Sequence, residues 1–344
     1  MNVHKVRPLK TKGKSLSVED FDHFVAVDWS MKTMAVAHMG RRRKEPKVFE
    51  HSSNVTVLKE YLRSLKGRTI LTIEETTTAQ WLYVELRDCV DRILVCNPRH
   101  NRLLCDGPKT DKIDASKLCT LLRNGLLKEV YHTSDELYDL RLLVSAYVDL
   151  VQAGVRVLNQ RTALERGHRE ESRHAAFILN PVSKSIELYE QSKEQYEAKF
   201  HAISTQNRSM KLLLPVSGIG EIGAAKVVAT VIDAHRFPKA NHYLSYCGLV
   251  KHEKLSGGRS YGRRKAPYCH LLKSVYKTAA MAAIAGNNPI REYYDHLVSN
   301  GVAEHNARHA VARYIARITY GILKTGTPYE PYRWRAHNTK RDVA

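Results

Sequence analysis

The rhythm of hydrophobic positions changes twice along the chain, and the changes divide it into three kinds of segment. Phe24-Val25-Ala26-Val27 is a continuous apolar run closed by Asp28-Trp29, the pattern of a buried strand. Met34 to His38 and Val48 to Glu50 supply two more strands of a meander. From Thr56 to Leu65 the spacing becomes helical, with Val57, Leu58, Tyr61, Leu62 and Leu65 on one face. Arg68 to Ile73 is a β-branched run ending at Glu74, Trp81 to Cys89 reads as a helix, and Asp91 to Cys96 is another buried strand before Asn97-Pro98. The order β-β-β-α-β-α-β predicts a mixed sheet with helices on its faces. Sites in open α/β sheets lie beyond strand ends, where Asp28 and Glu74 stand.

From Asp135 to about Gly167 the period lengthens. Leu137, Leu140, Val144, Tyr147, Val151 and Leu158 form one helical seam, and a second helical stretch runs from about Ile186 to Ser209. Asn180-Pro181 is read as the break between two antiparallel helices. This stalk packs on itself or against another copy; its pattern fits both. A basic, mostly helical region follows from Leu212 to about Lys324. The predicted organisation is a basic arm (1–20), an α/β domain (21–130), a helical stalk (131–210), a helical C-terminal domain (211–330) and a basic tail (331–344).

Charge narrows the partners. Fifty-five Lys and Arg against 35 Asp and Glu leave a net +20, concentrated at Lys5–Lys14, Arg41–Lys44, Arg259–Lys265 and Arg333–Arg341. Such an excess repels itself in the folded state and is relieved by a polyanion. No stretch reaches the roughly 20 consecutive apolar residues of a membrane helix, so no membrane partner is expected. Residues 1–17 carry five basic residues with no apolar segment after them, unlike a secretory signal. The six cysteines include no CxxC pair, which points to free thiols in a reducing compartment rather than a zinc site. Gly13-Lys14-Ser15 lacks the strand and glycine-rich turn of a nucleotide-binding loop.

The sharpest local signal is Lys109-Thr110-Asp111-Lys112-Ile113-Asp114-Ala115. Asp111 and Asp114, three apart, share one face of a helix. From spacing alone the simpler reading is that one of them caps the helix. Joined by Asp28 and Glu74 they would form a four-carboxylate set, the hard-oxygen environment that Mg²⁺ selects. Two metals there would suit phosphoryl transfer.

These motifs together resemble the DEDD transposases of the insertion-sequence "one-ten" family, relatives of the Piv/MooV DNA invertases. The resemblance rests on Val27-Asp28, Glu74-Glu75-Thr76, Asn97-Pro98-Arg99 and the Lys-Thr-Asp-Lys-Ile-Asp-Ala segment. It implies a RuvC-like, RNase H-type N-terminal fold in which Asp28, Glu74, Asp111 and Asp114 bind Mg²⁺. Glu75 competes for the second position; Thr76, two residues after Glu74, favours Glu74. In the C-terminal half, Leu214-Pro215-Val216-Ser217-Gly218-Ile219-Gly220 is similar to the family's "PGIG" element, where Gly218 and Gly220 open a helix whose backbone N–H groups can hold a phosphate. Tyr243–Leu249 and Leu255-Ser256-Gly257-Gly258 resemble the region carrying the family's nucleophilic serine. That role falls on Ser256, with Ser260 as the alternative, and Arg259, Arg263, Arg264 and Lys265 would clamp phosphate. The family's Lys-x-Gly motif and a following Arg are missing at Lys265-Ala266-Pro267-Tyr268. The resemblance further implies element-end and target DNA, a bridge non-coding RNA, a homodimer or homotetramer, and a prokaryotic cytoplasmic, nucleoid-associated location.

Three other readings carry their own discriminators. His305-Asn306-Ala307-Arg308, with Tyr314 and Tyr320 following, has the spacing of a metal-independent tyrosine recombinase. A RuvC-like nuclease would use the same acids and leave no covalent adduct. A nucleic-acid-binding protein with a degenerate site would tolerate Asp28→Asn.

Overall fold

The computed structural model describes residues 17–97, 110–132, 137–167, 174–264, 266–332 and 334–335. The basic arm up to residue 16, Pro98-Arg99, Lys109, Lys265 and residues 336–344 of the tail lie outside the described residues. Residues 17–20 are ordered as a short helical turn in which the Ser17 N–H donates to the Asp20 carboxylate at 2.7 Å.

The chain forms two compact units, 1–134 and 135–344. The first is built on β1 (His23–Trp29), β2 (Thr33–Gly40), β3 (Lys47–Ser52), β4 (Thr69–Glu74), β5 (Arg92–Cys96) and β6 (Glu129–Val130). These lie in one sheet of order β3-β2-β1-β4-β5-β6. β1, β4 and β5 are parallel, while β2, β3 and β6 run antiparallel to their neighbours. Parallel neighbours need helical crossovers, which α1 (Val55–Ser64) and α2 (Ala79–Leu86) provide.

Pleat alternation sorts the side chains into two cores. Val25, Val27, Val36, Leu71 and Ile73 face α1 and α2, meeting Leu58, Leu62, Leu82 and Leu86. Phe24, Ala26, Ala35, Ala37 and Ile70 face the opposite way, against Ala115, Leu118, Cys119 and Leu122 of α3 (Asp111–Arg123). Burying each of those leucines contributes about 1.5–3 kcal/mol, which is what seats α3 on the sheet.

The second unit opens with two 30-residue helices, α4 (Tyr138–Gly167) and α5 (Ala175–Ser204). They are antiparallel: Tyr147 meets Phe200 at 5.3 Å between rings, while further along α4 the Gly154 backbone lies against Tyr189. The break expected at Asn180-Pro181 is not there, because Pro181 lies inside α5, which begins eleven residues before the expected start. A proline forfeits one backbone hydrogen bond, and α5 continues through it; the Ser185 hydroxyl donates to the Pro181 carbonyl at 2.9 Å. By length and composition alone α4 would also suit a membrane span, as the core helix of a soluble protein can. Here its apolar seam is laid against α5 and α7 (Glu221–Val231).

The remaining elements are α6 (Arg208–Leu213), α8 (Ala240–Tyr246), α9 (His270–Ala285), α10 (Pro289–Ser299) and α11 (Glu304–Thr325). They share a core with the base of the stalk, since Leu140, Val144, Tyr147 and Phe200 join Val228, Tyr243, Tyr276 and Ile315 in one cluster. One feature has no counterpart in the hydrophobic pattern: a hairpin of β7 (His252–Ser256) and β8 (Arg259–Arg264).

Candidate active site

Asp28 occupies the end of β1, paired with Ala35 of β2, which in turn pairs with Glu50 of β3. The parallel register of β1 and β4 closes at Val27–Ile73, so Asp28 and Glu74 stand in the next row on adjacent strands. Both alternate with residues of the α3-facing core, Asp28 after Phe24 and Ala26 and Glu74 after Ile70, and therefore project on the side that α3 covers. Both are half-buried.

Two anchors fix the direction of α3. Near its C-terminal end the Cys119 thiol donates to the Phe24 carbonyl at 3.3 Å, and Arg123 donates to the Arg41 carbonyl at 2.6 Å. Burial pushes the Cys119 thiol up to about 12, so it stays protonated and keeps donating. At the other end Lys112 pairs with Glu50 at 3.0 Å. From Cys119 back to Asp111 the helix rises about 12 Å; from Phe24 to Asp28 the strand extends about 13 Å. The first turn of α3 therefore lies over the row that holds Asp28 and Glu74.

That turn is capped by Thr110, whose hydroxyl accepts from the Ile113 N–H at 3.3 Å. Neither aspartate is the cap. Asp111 is exposed and Asp114 half-buried; together with Ala115, Leu118 and Leu122 they follow the helical spacing of the sheet-facing stripe. Topology thus brings all four sequence-selected acids to one end of the sheet. Among the described residues, no three His, Cys, Asp or Glu side chains are close enough to hold a metal ion, so the acids are gathered without forming a finished ligand cage.

Glu50 is an acid of this row that the sequence pattern did not single out, and Lys112 engages it. Glu75 is committed elsewhere. Its carboxylate lies 2.6 Å from His132 Nε2, while His132 Nδ1 lies 2.7 Å from the Gln80 side-chain oxygen.

Ser256 ends β7 at the tip of the exposed hairpin. Gly257 and Gly258 both adopt positive φ (55° and 77°), the backbone of a tight two-residue hairpin turn. Ser256 pairs with Arg259, so the two share a hairpin face; a register shift between Glu253 and Leu255 breaks the alternation further along, where Arg263 pairs with Glu253. Ser260 has the opposite parity. Arg263 lies 3.7 Å from Glu253, and Arg264 closes the pairing opposite His252. At the base of the hairpin the Ser245 hydroxyl and His252 Nε2 are 2.9 Å apart, which ties β7 to α8.

The glycines of the turn before α7 differ. Gly218 has φ +86° and approaches α9 so closely that a Cβ would collide with the Ala279 carbonyl; Gly220 caps α7 in an extended conformation with open space around it. Glu221, at the first position of α7, lies 2.7 Å from His201 Nδ1.

The HxxR set is not assembled as a tyrosine-recombinase site. Arg308 pairs with Glu304 at 2.8 Å, the buried Tyr320 hydroxyl donates to the Phe237 carbonyl at 2.8 Å, and Tyr314 stacks on Tyr293 with ring centroids 4.6 Å apart.

Comparison with known proteins follows the same division. Residues 25–166 match the IS110 DEDD transposase family, and residues 210–295 match the family described as transposase IS116/IS110/IS902. Among curated proteins, the chain is 28% identical over 155 residues to the insertion element IS110 uncharacterized 43.6 kDa protein of Streptomyces coelicolor, a match covering 44% of this chain and 38% of that one. It is 21% identical over 307 residues to a probable family 20 transposase of Pseudomonas aeruginosa, covering 80% of this chain and 89% of the relative.

Proposed function

The chain belongs to the IS110 transposase family, and from that premise we propose that it cuts and rejoins DNA by phosphoryl transfer, using the acids of its first unit and a serine of its second. The observation that carries the proposal is the register of β1 and β4, which sets Asp28 beside Glu74 under the helix start bearing Asp111 and Asp114. The sheet order, with an antiparallel meander leading into two parallel strands, supports a RuvC-like, RNase H-type reading of this unit.

The donor set fits a hard divalent cation in kind, being carboxylate oxygens at a helix start. Asp28, Glu74, Asp111 and Asp114 would hold Mg²⁺. When bound, Mg²⁺ neutralises charge building up on a phosphate and activates the attacking oxygen.

Ser256 would supply that oxygen. Its Oγ forms a bond to phosphorus as the bond from phosphorus to the 3′ oxygen breaks, and the serine proton ends on the departing 3′ hydroxyl. The product is a 5′-phosphoserine, whose ester energy is kept for the reverse attack by another 3′ hydroxyl, so rejoining needs no ATP. A serine hydroxyl is a weak nucleophile until activated; Arg259, its cross-strand partner, would hold phosphate beside it, with Arg263 further along the hairpin. The net +20 suits both DNA and a guiding bridge RNA.

The test is covalent capture. The full chain is incubated with labelled element-end and target DNA, Mg²⁺ and the transcript flanking the element, then denatured and mapped by mass spectrometry. The expected result is a Mg²⁺-dependent adduct on Ser256, lost in Ser256→Ala, in Asp28→Asn and when the transcript is omitted. A tyrosine adduct formed without metal overturns the proposal. Cleavage without an adduct replaces it with a RuvC-like nuclease.

A further inference from the structure

Six basic side chains on α9 and α11 form a surface that the chemistry above does not use. On α11, His305, His309, Arg313 and Arg317 follow one another at four-residue steps, and on α9 Lys273 and Lys277 do the same. These two helices pack on each other. Burial lowers the His309 pKa first, and the charges of Lys277, Arg313, His305 and Lys273 all lower it further. Arg313, half-buried, is acted on in the same way by Arg317. No carboxylate is among those influences.

The acids nearby are already engaged. α9 contains no Asp or Glu, and the single acid of α11, Glu304, pairs with Arg308. On α10, Asp295 pairs with Arg291 and Glu292 with Arg335. α6 and α8, also packed against α11, carry no acid. Among the described residues, the acids of these helices are therefore held by Arg308, Arg291 and Arg335 and not by Lys277, His309, Arg313 or Arg317. Successive four-residue steps are about 6 Å apart along a helix, so the α11 row alone spans about 18 Å. That length suits a run of phosphates, not a single one.

We propose that the face formed by Lys273, Lys277, His305, His309, Arg313 and Arg317 binds the phosphodiester backbone of a nucleic acid. The inference rests on the reading of the chain as a nucleic-acid enzyme. It extends that reading to a site away from the acids and Ser256, and most of it, the α11 row, follows the matched residues 210–295.

The test is a salt titration of binding by the full-length protein to a fluorescent 30-base-pair DNA duplex and to an RNA duplex of the same sequence. Wild type is compared with Lys277→Gln/Arg317→Gln, at two exposed positions, and with Arg308→Gln, whose charge is already paired. Each phosphate contact contributes about 0.9 to the slope of log K against log salt on duplex DNA. The double variant is expected to lower that slope by about 1.8 and to weaken binding at least about tenfold near physiological salt. Arg308→Gln should change the slope far less. Thermal melting is the control for folding: relief of repulsion leaves the double variant at least as stable as wild type. A loss on DNA, on RNA or on both supports the proposal and identifies the strand the face holds. An unchanged slope on both overturns the proposal while leaving the enzyme reading intact, whereas failure of wild type to bind either duplex sinks both.

Discussion

At the scale of single residues, neighbouring carboxylates separate by partner. Glu74 shares its row and face with Asp28, whereas Glu75 is drawn to His132. Removing a metal ligand is expected to cost more than removing an outer support, which typically costs about 10–100-fold. Glu74→Gln and Asp28→Asn should therefore abolish Mg²⁺-dependent cleavage beyond about 100-fold, while Glu75→Gln stays within that support range; single-turnover strand cleavage measures it. Cleavage by Glu74→Gln that survives while Glu75→Gln fails would exchange the two assignments. A second residue-scale case lies at the far end of β1. His23 Nε2 lies 2.9 Å from the Lys66 carbonyl, which can only accept, so a neutral His23 accepts at Nδ1 from His38 Nε2–H, 3.0 Å away. His38 Nδ1 then accepts from the Tyr61 hydroxyl at 2.9 Å. Burial, His23 and Arg43 lower the His38 pKa. Below about pH 6.5 the unfolded chain takes up a proton that the folded His38 resists, so stability falls as pH drops through that value towards the lowered one. His38→Gln keeps an acceptor for Tyr61 and a donor for His23 without titrating. Its melting temperature should depend less on pH between 7 and 5 than that of wild type, and an unchanged slope would show that His38 is not the group responsible.

At the scale of elements, what could be read from the sequence depended on burial. β1, β4 and β5 are nearly continuous apolar runs because helices cover both faces of the sheet, so their strand character and closing acids were legible. The β7–β8 hairpin was not, since its described side chains are exposed and only the Gly257-Gly258 turn is left as a signal. Pro181 misled because a proline inside a helix looks the same in sequence as one that ends it. The motif singled out the four acids, but what sets Asp28 and Glu74 in one row, their shared pleat parity, and what brings the start of α3 over it, the direction of that helix, are tertiary. Gly218 shows the same divide. Its motif suggested a phosphate grip, and the structure adds a packing requirement, the close approach to Ala279 at positive φ. Gly218→Ala is expected to destabilise the second unit by about 1–3 kcal/mol through overpacking alone, whereas Gly220→Ala, extended and open, should cost far less. Denaturant unfolding of both variants decides this, and equal losses would remove the packing argument.

At the scale of the whole molecule, the chemistry sets a requirement that one chain meets poorly. Rejoining exchanged strands needs several cut ends held at once, and under the proposed chemistry each chain would offer one Ser256 and one acid set. The stalk supplies a surface for a second copy. Its seam is satisfied internally by Tyr147, Phe200 and the Gly154–Tyr189 approach, yet large apolar side chains remain outside it, including Leu142, Phe177 at 81% exposure and Leu188 at 65%. Scattered exposed leucines are ordinary, but several along one pair of helices exceed what solubility favours. A homodimer or homotetramer joined through α4 and α5 would cover them, and would let acids and serines from different chains serve one junction. Sedimentation at micromolar concentration should show an assembly in wild type, and Phe177→Ser/Leu188→Ser should shift it towards monomer without lowering the melting temperature, since neither side chain is in the core. That variant should also lose rejoining before it loses cleavage, because a single cut needs one site and an exchange needs more. A wild type that sediments as a monomer with DNA bound would confine the chain to cleavage, and the stalk's apolar surface would then have no role in exchange.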